Sequence, residues 1–185
     1  MTDTRKLVKD CLKGNAPAQK QLYTLYAGPM LGICYRYTKS IKDAEDVLQE
    51  GFVKVFEHLD QFRFDGELGA WVRVIMVRSA LNYLKKNKIY QQELSFEDDS
   101  LHPVTDDNPD LHLGAKELAD LIRQLPTGYQ TIFNLHAVEG YSHVEIGRML
   151  GIKEGTSRSQ YARARALLIS WLEKASEERK PDRYA

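Results

Sequence analysis

The 185-residue chain has only two cysteines, Cys11 and Cys34, with no Cys-x-x-Cys spacing and no histidine at a metal-ligand interval from either. A structural disulfide and a zinc site are therefore not expected, and nothing else calls for a metal or a cofactor. Long apolar runs are missing too: none reaches the roughly 18 residues of a membrane span, and the N-terminal stretch MTDTRKLVKDCLKG is too polar for a secretory signal. A cytoplasmic protein without direct membrane insertion is the expectation. The five histidines, at 58, 102, 112, 136 and 143, form no ligand-spaced pair, and Ser142 lies in no nucleophile elbow. With no catalytic residue to nominate, the chain reads as a non-enzyme with no small-molecule substrate.

Net charge is also lacking, with 26 Lys and Arg against 26 Asp and Glu, but the balance conceals strong local asymmetry. Residues 89–115 hold seven acids (Glu93, Glu97, Asp98, Asp99, Asp106, Asp107 and Asp110) and no Lys or Arg. With Pro103 and Pro109 and no sustained apolar period, this stretch reads as a linker. The chain thus divides into a domain over residues 10–88, an acidic linker over 89–112 and a second domain over 113–175. Each domain holds on the order of 70 residues, so each core is marginal, about 3 to 5 kcal/mol. The tail from Lys174 to Ala185 reads as a frayed end.

The C-terminal half has the most informative pattern. In YSHVEIGRMLGIKEGTSRSQYARARALL, Ser142 and Glu145 form a capping box that starts a helix. Gly151 then supplies a left-handed cap, and Ile152 packs beneath the turn. Wound at about 100° per residue, residues 154–172 put Tyr161, Ala164, Leu168 and Trp171 on one side and Arg158, Ser159, Ala162 and Arg163 on the other, with Arg165 at the margin. Planar guanidinium forks suit guanine edges and phosphates, and small residues between them allow close approach to bases. This is a helix-turn-helix, and it points to DNA.

The first half reads as helical throughout, making the fold class all-α. Gly14 ends a short first helix; Leu22, Leu25 and Tyr26 mark the next; Gly28 and Pro29 are expected to break it and open another through Ile33, Cys34 and Tyr37. Ser40 and Asp43 resemble a second capping box, followed by an acidic amphipathic helix that buries Val47, Leu48, Phe52, Val55, Phe56 and Leu59. Beyond the loop QFRFDGELG comes a helix over residues 70–88 with Arg73, Arg78, Lys85, Lys86 and Lys88 and no acid. Trp71, Asn82 and Tyr83 interleave with these cations. Cations on phosphate and aromatic faces on unpaired bases suit single-stranded DNA, although Trp71 and Tyr83 serve equally well as core residues.

Three strings, DAEDVLQEGFVKVFEHLDQF, AWVRVIMVRSALNYLKK and LPTGYQTIFNLHAVEGYSHVEIGRMLGIKEGTSRSQYARAR, occur in the order found in bacterial RNA polymerase sigma factors of the extracytoplasmic-function group. The resemblance covers about residues 10–172. It implies a region 2-like helical bundle and a region 4-like helix-turn-helix domain joined by the linker. It further implies that Asp43, Asp46, Gln49 and Glu50 bind the clamp helices of the largest subunit of core RNA polymerase. Phe62, Phe64, Asp65 and Gly66 match the loop that captures a flipped base of the minus-ten element, with Phe62 and Phe64 as apolar walls. Trp71, Arg73, Arg78, Asn82 and Lys85 then follow the melted strand. Arg158, Ser159, Ala162 and Arg163 match major-groove positions at the minus-thirty-five element, and Arg165 a phosphate contact.

Departures at three positions bear on promoter preference and loop geometry. Arg78 stands where many members have asparagine, Ala162 is smaller than the side chain often found at its position, and Glu67 stands where a serine commonly caps the minus-ten helix, which leaves Asp65 to cap it. An anti-sigma factor is a further possible partner by resemblance. The acidic linker also suggests an inhibitory contact with the plus-five helix or with Arg158 to Arg165. The competing reading is a stand-alone dimeric helix-turn-helix activator or repressor, which would bind a palindromic site tightly without polymerase.

Overall fold

In a computed structural model, residues 3–87 and 115–178 are described. The linker, the inhibitory contact suggested for it and residues 179–185 lie outside them. The described residues form two compact units, the first ending at Asn87 and the second built from the helices beyond Ala115. Every regular element among them is helical.

The first unit opens with α1 (Thr4–Leu12), capped by the Asp3 carboxylate on the Arg5 and Lys6 amides. Gly14 takes a left-handed φ of 74° just after α1 ends, as the sequence suggests. Asn15 then caps α2 (Ala16–Tyr37) through the Ala18 amide. This helix corrects the expectation of a break, because it runs unbroken through Gly28 and Pro29. An internal proline removes the donor to the carbonyl four residues back and costs about 3 kcal/mol. Burial on both sides outweighs that cost: Leu22 before the proline and Met30, Ile33, Cys34 and Tyr37 after it all face the core.

Ser40 caps α3 (Ile41–Glu57) through the Asp43 amide, and Val47, Leu48, Phe52 and Val55 are buried while Phe56 is only half-buried. A short 3-10 turn (Leu59–Gln61) and an irregular loop lead to α4 (Leu68–Lys86). Helices α2, α3 and α4 pack mutually, and α1 packs on α2 and the 3-10 turn. Both cysteines are free and buried in this core. Burial pushes the Cys34 thiol up to about 12 and raises that of Cys11, so both stay protonated near neutrality.

The second unit comprises α5 (Ala115–Gln124), α6 (Thr127–Phe133), a π-helical turn (Asn134–Val138), α7 (His143–Leu150) and α8 (Glu154–Glu178). Its core gathers Ile122, Leu125, Ala164 and Leu168, with Leu121, Tyr129, Phe133, Leu167 and Trp171 packed around them. Helix α8 continues to Glu178, past the Lys174 where fraying is expected from the sequence.

Candidate nucleic-acid interface

The turn between α7 and α8 forms as its residues dictate. Ser142 and Glu145 close a complete capping box, with the Ser142 amide donating to the Glu145 carboxylate at 2.8 Å and the Glu145 amide to the Ser142 hydroxyl at 3.3 Å. The Ser142 hydroxyl, which donates to the same carboxylate at 2.7 Å, and then the Ser142 amide hold the Glu145 carboxyl below its usual range. Gly151 ends α7 at φ 71°, and the Ile152 amide returns to the Gly147 carbonyl at 3.0 Å. Gly147 matters for a different reason: a Cβ there would stand 2.8 Å from the Ile152 carbonyl oxygen. Only a hydrogen at that position lets the turn fold back against α7.

On α8, Arg158, Ser159, Ala162 and Arg165 are exposed and Arg163 is half-buried, and both Arg163 and Arg165 make interactions within the protein. The last two exchange places relative to the helical-wheel expectation. At about 100° per residue, Arg165 falls in line with Arg158 and Ala162, whereas Arg163 turns toward the buried side. Arg158 also pairs with Glu154 at 2.6 Å one turn earlier, an exposed link worth little in water and easily exchanged for phosphate.

Behind this face lies an aromatic cluster that sequence patterning does not reveal. His136, carried by the π-helical turn, stacks on His143 with ring centroids 4.1 Å apart. Tyr161 of α8 meets His136 edge-on at 4.6 Å and stacks on Phe133 at 5.8 Å. His136 Nδ1 lies 2.8 Å from the Tyr141 carbonyl and must donate to it. His143 Nδ1 lies 2.9 Å from the hydroxyl of fully buried Ser157 on α8. Burial first, then His136 and Arg158, lower the His143 pKa against the opposing pull of Glu154. The two histidines therefore bridge α7 and α8.

In the first unit, two charged surfaces lie on adjacent helices. On α3, Asp46, Gln49 and Glu50 are exposed and Asp43 is half-buried. Asp43 accepts the Ser40 hydroxyl at 2.7 Å and a hydrogen bond from Tyr83 on α4, and both hold its carboxyl low. Burial and the Asp43 carboxylate push the Tyr83 hydroxyl up to about 12. Glu50 pairs with Lys54 at 2.7 Å, and Lys54 reaches Ser79 of α4 at 3.4 Å. Of the acids expected to meet a partner, Asp46 and Glu50 are exposed, while Asp43 ties α3 to α4.

On α4, Arg78, Asn82 and Lys85 are exposed and share a stripe with half-buried Trp71. Arg73 lies about 200° round the helix from Trp71 and is half-buried with an internal interaction, so the fold does not bring it into that stripe. A cleft of about 390 Å³ opens beside the start of α4, lined by Phe62, Asp65, Gly66, Glu67, Trp71 and their neighbours. That volume suits a small planar ligand.

Phe62 packs on Trp71 at 5.7 Å and on Phe64 at 4.8 Å. Phe64 is not among the lining residues, which corrects its expected place as a wall: it stands behind Phe62 and supports it. Its φ is +60°, a left-handed conformation that costs a bulky residue on the order of 1 to 3 kcal/mol unless its neighbours hold it there. The N-cap position of α4 falls on Glu67, whose side chain makes no capping bond. No bond from Asp65 substitutes for it, contrary to expectation, so the Leu68 and Gly69 amides at the start of α4 receive no side-chain cap, while those of Ala70 and Trp71 donate to the Glu67 carbonyl.

Such a combination defines a DNA-binding protein of two helical units: an arginine-bearing helix-turn-helix in one, and in the other a cationic stripe beside an aromatic cleft with an acidic helix alongside. Comparison with known proteins places it further. The family described as Sigma-70 region 2 matches residues 22–89, and that described as Sigma-70, region 4 matches residues 115–168. The chain is 32% identical over 167 residues to the ECF RNA polymerase sigma factor SigE of Mycolicibacterium smegmatis, an alignment covering 88% of this chain and 64% of that protein. It is 29% identical over 179 residues to the ECF RNA polymerase sigma-E factor of Haemophilus influenzae, covering 91% and 94%. The fold resembles that of the sigma factor RpoE of Bartonella quintana, solved in complex with the anti-sigma factor NepR, with a TM-score of 0.51 at 21% identity over 83% of this chain and 96% of that one. The chain belongs to the sigma-70 family and, within it, to the extracytoplasmic-function group.

Proposed function

We propose that this chain binds core RNA polymerase and directs it to promoters, reading the minus-thirty-five element with α8 and capturing the melted minus-ten element with the cleft and stripe of α4. Polymerase supplies all the catalysis, and the process takes place in the cytoplasm. The observation that carries this reading is the division of labour between the two units: each contributes one DNA-facing surface, and the first adds an acidic surface suited to a basic protein partner. In α8, Arg158 and Arg165 flank Ala162 on the exposed side, an arrangement in which guanidinium groups reach bases and phosphates over a small side chain. In α4, Trp71 offers a stacking face at the cleft while Arg78 and Lys85 follow the phosphates.

The acidic surface of Asp46, Gln49 and Glu50, with Asp43 at its edge, is the docking site for the clamp helices of the largest polymerase subunit. An anti-sigma factor would silence the chain by covering this surface together with the arginine face. Gel filtration of the chain with core polymerase tests the reading: co-elution is expected, and D46K with E50K should abolish it. Tight binding of the free chain to a palindromic duplex, with no association with core polymerase, would overturn it in favour of a stand-alone regulator.

A further inference from the structure

Helix α1 lies ahead of the segment matched to region 2, which begins at residue 22, and neither DNA-facing surface includes it. It is nevertheless firmly seated, with Leu7, Val8 and Cys11 buried and contacts to α2 and the 3-10 turn just before the cleft loop. From its exposed first turn, Arg5 extends over the Phe64 ring with its guanidinium carbon 4.9 Å from the centroid. Phe64 in turn bears on Phe62, and Phe62 on Trp71. A continuous chain of ring contacts therefore runs from the first helix to the wall of the cleft, passing through the one non-glycine residue described at positive φ.

We propose that Arg5 is a positioning residue for base capture, holding Phe64 in its left-handed conformation so that Phe62 and Trp71 present a preformed wall to the flipped base. This rests on the reading of the cleft as the minus-ten pocket. The physical argument has three steps. A bulky residue at positive φ persists only where its surroundings hold it. The loop carrying Phe64 is irregular between the 3-10 turn and α4, leaving ring contacts as the main restraint. Phe62 and the Arg5 cation both bear on the Phe64 ring, so removing Arg5 takes away one of its restraints and lets the backbone relax to negative φ. The cleft then has to be reordered when the base enters, and affinity falls without the loss of any contact to DNA.

The test uses the complex of the full chain with core polymerase and a fluorescent twelve-nucleotide single strand, the one most enriched by that complex from a randomised pool. Arg5→Ala should weaken binding about two- to fivefold, the range of an exposed cation–π contact, and Arg5→Lys should restore part of the loss. In a Phe64→Leu background Arg5→Ala should have no further effect, because the π face is gone. The slope of affinity against salt should be the same with and without Arg5, since no phosphate contact is lost. An equal loss in both backgrounds with a shallower slope would mean that Arg5 touches DNA itself, and would overturn the proposal. So would a lower thermal midpoint with unchanged affinity, which would make Arg5 purely structural. Trp71→Ala separates the two levels: if it leaves affinity intact, the reading of the cleft fails; if it weakens binding while Arg5→Ala does not, only the role of Arg5 fails.

Discussion

Replacing Gly147 by alanine sets two opposed effects against each other. Alanine in a helix interior is worth about 0.8 to 1 kcal/mol over glycine, so on propensity alone the substitution stabilises α7. The added methyl, however, would stand 2.8 Å from the Ile152 carbonyl oxygen and 3.6 Å from the Glu154 amide nitrogen. Both are backbone atoms of the turn into α8, and neither can swing aside as a side chain would. Overpacking of this kind costs about 1 to 3 kcal/mol, leaving a net loss of about 1 kcal/mol and at most about 2. In a unit of marginal core, that opens the α7 and α8 amides about 5- to 30-fold more often. Native-state hydrogen exchange on the full chain reads this unit separately from the other. Gly155→Ala is the internal control: it lies in α8 with nothing within 4 Å of a built Cβ, and should slow exchange or leave it unchanged. Should Gly147→Ala slow exchange as Gly155→Ala does, the claim that the turn requires a hydrogen at position 147 is refuted.

Three other outcomes follow from the same geometry. Ser142→Ala removes the hydroxyl that receives the Glu145 amide and should lower the stability of the second unit by about 1 kcal/mol, read as faster exchange at the start of α7. Arg158→Ala should weaken binding to a minus-thirty-five duplex by about 1 to 3 kcal/mol if it reads a base, and loss confined to one promoter position separates this from a phosphate contact. His143 resists protonation in the fold because burial, His136 and Arg158 all disfavour its charge. A depressed imidazole pKa gives stability that is complete above the ordinary value of about 6.5 and declines as pH falls below it toward the lowered value. The second unit should thus loosen on acidification over that window, and His143→Gln should flatten the profile; an unchanged profile would remove His143 as its source.

Features set by near neighbours in the chain were legible in the sequence. The Ser142 and Glu145 box, the left-handed turns at Gly14 and Gly151 and the inward face of α8 through Ala164 and Leu168 all depend on residues within a turn or two. Where tertiary packing decides, sequence reading failed. Pro29 looks like a helix break until burial of Leu22, Met30 and Ile33 outweighs its cost. By contrast, the exchange of Arg163 and Arg165 was legible in the helical wheel, since at about 100° per residue Arg165 lies in line with Arg158 and Ala162 and Arg163 does not. The family resemblance puts Phe64 in the wall of the cleft, yet with its φ of +60° it is absent from the lining and packs against Phe62 instead. The contact of Arg5 with Phe64 and the stacking of His136 on His143 join elements far apart in sequence or displaced by a π-helical turn, and no periodicity announces either.

The central claim is that the chain confers promoter selectivity on an enzyme it does not itself contain. Transcription of fragmented genomic DNA by core polymerase, with and without the chain, and with transcript 5′ ends mapped, tests it most directly. The account predicts a defined set of starts that appear only when the chain is added, share two spaced sequence elements, and are lost with D46K and E50K. The same scattered starts with and without the chain would contradict it.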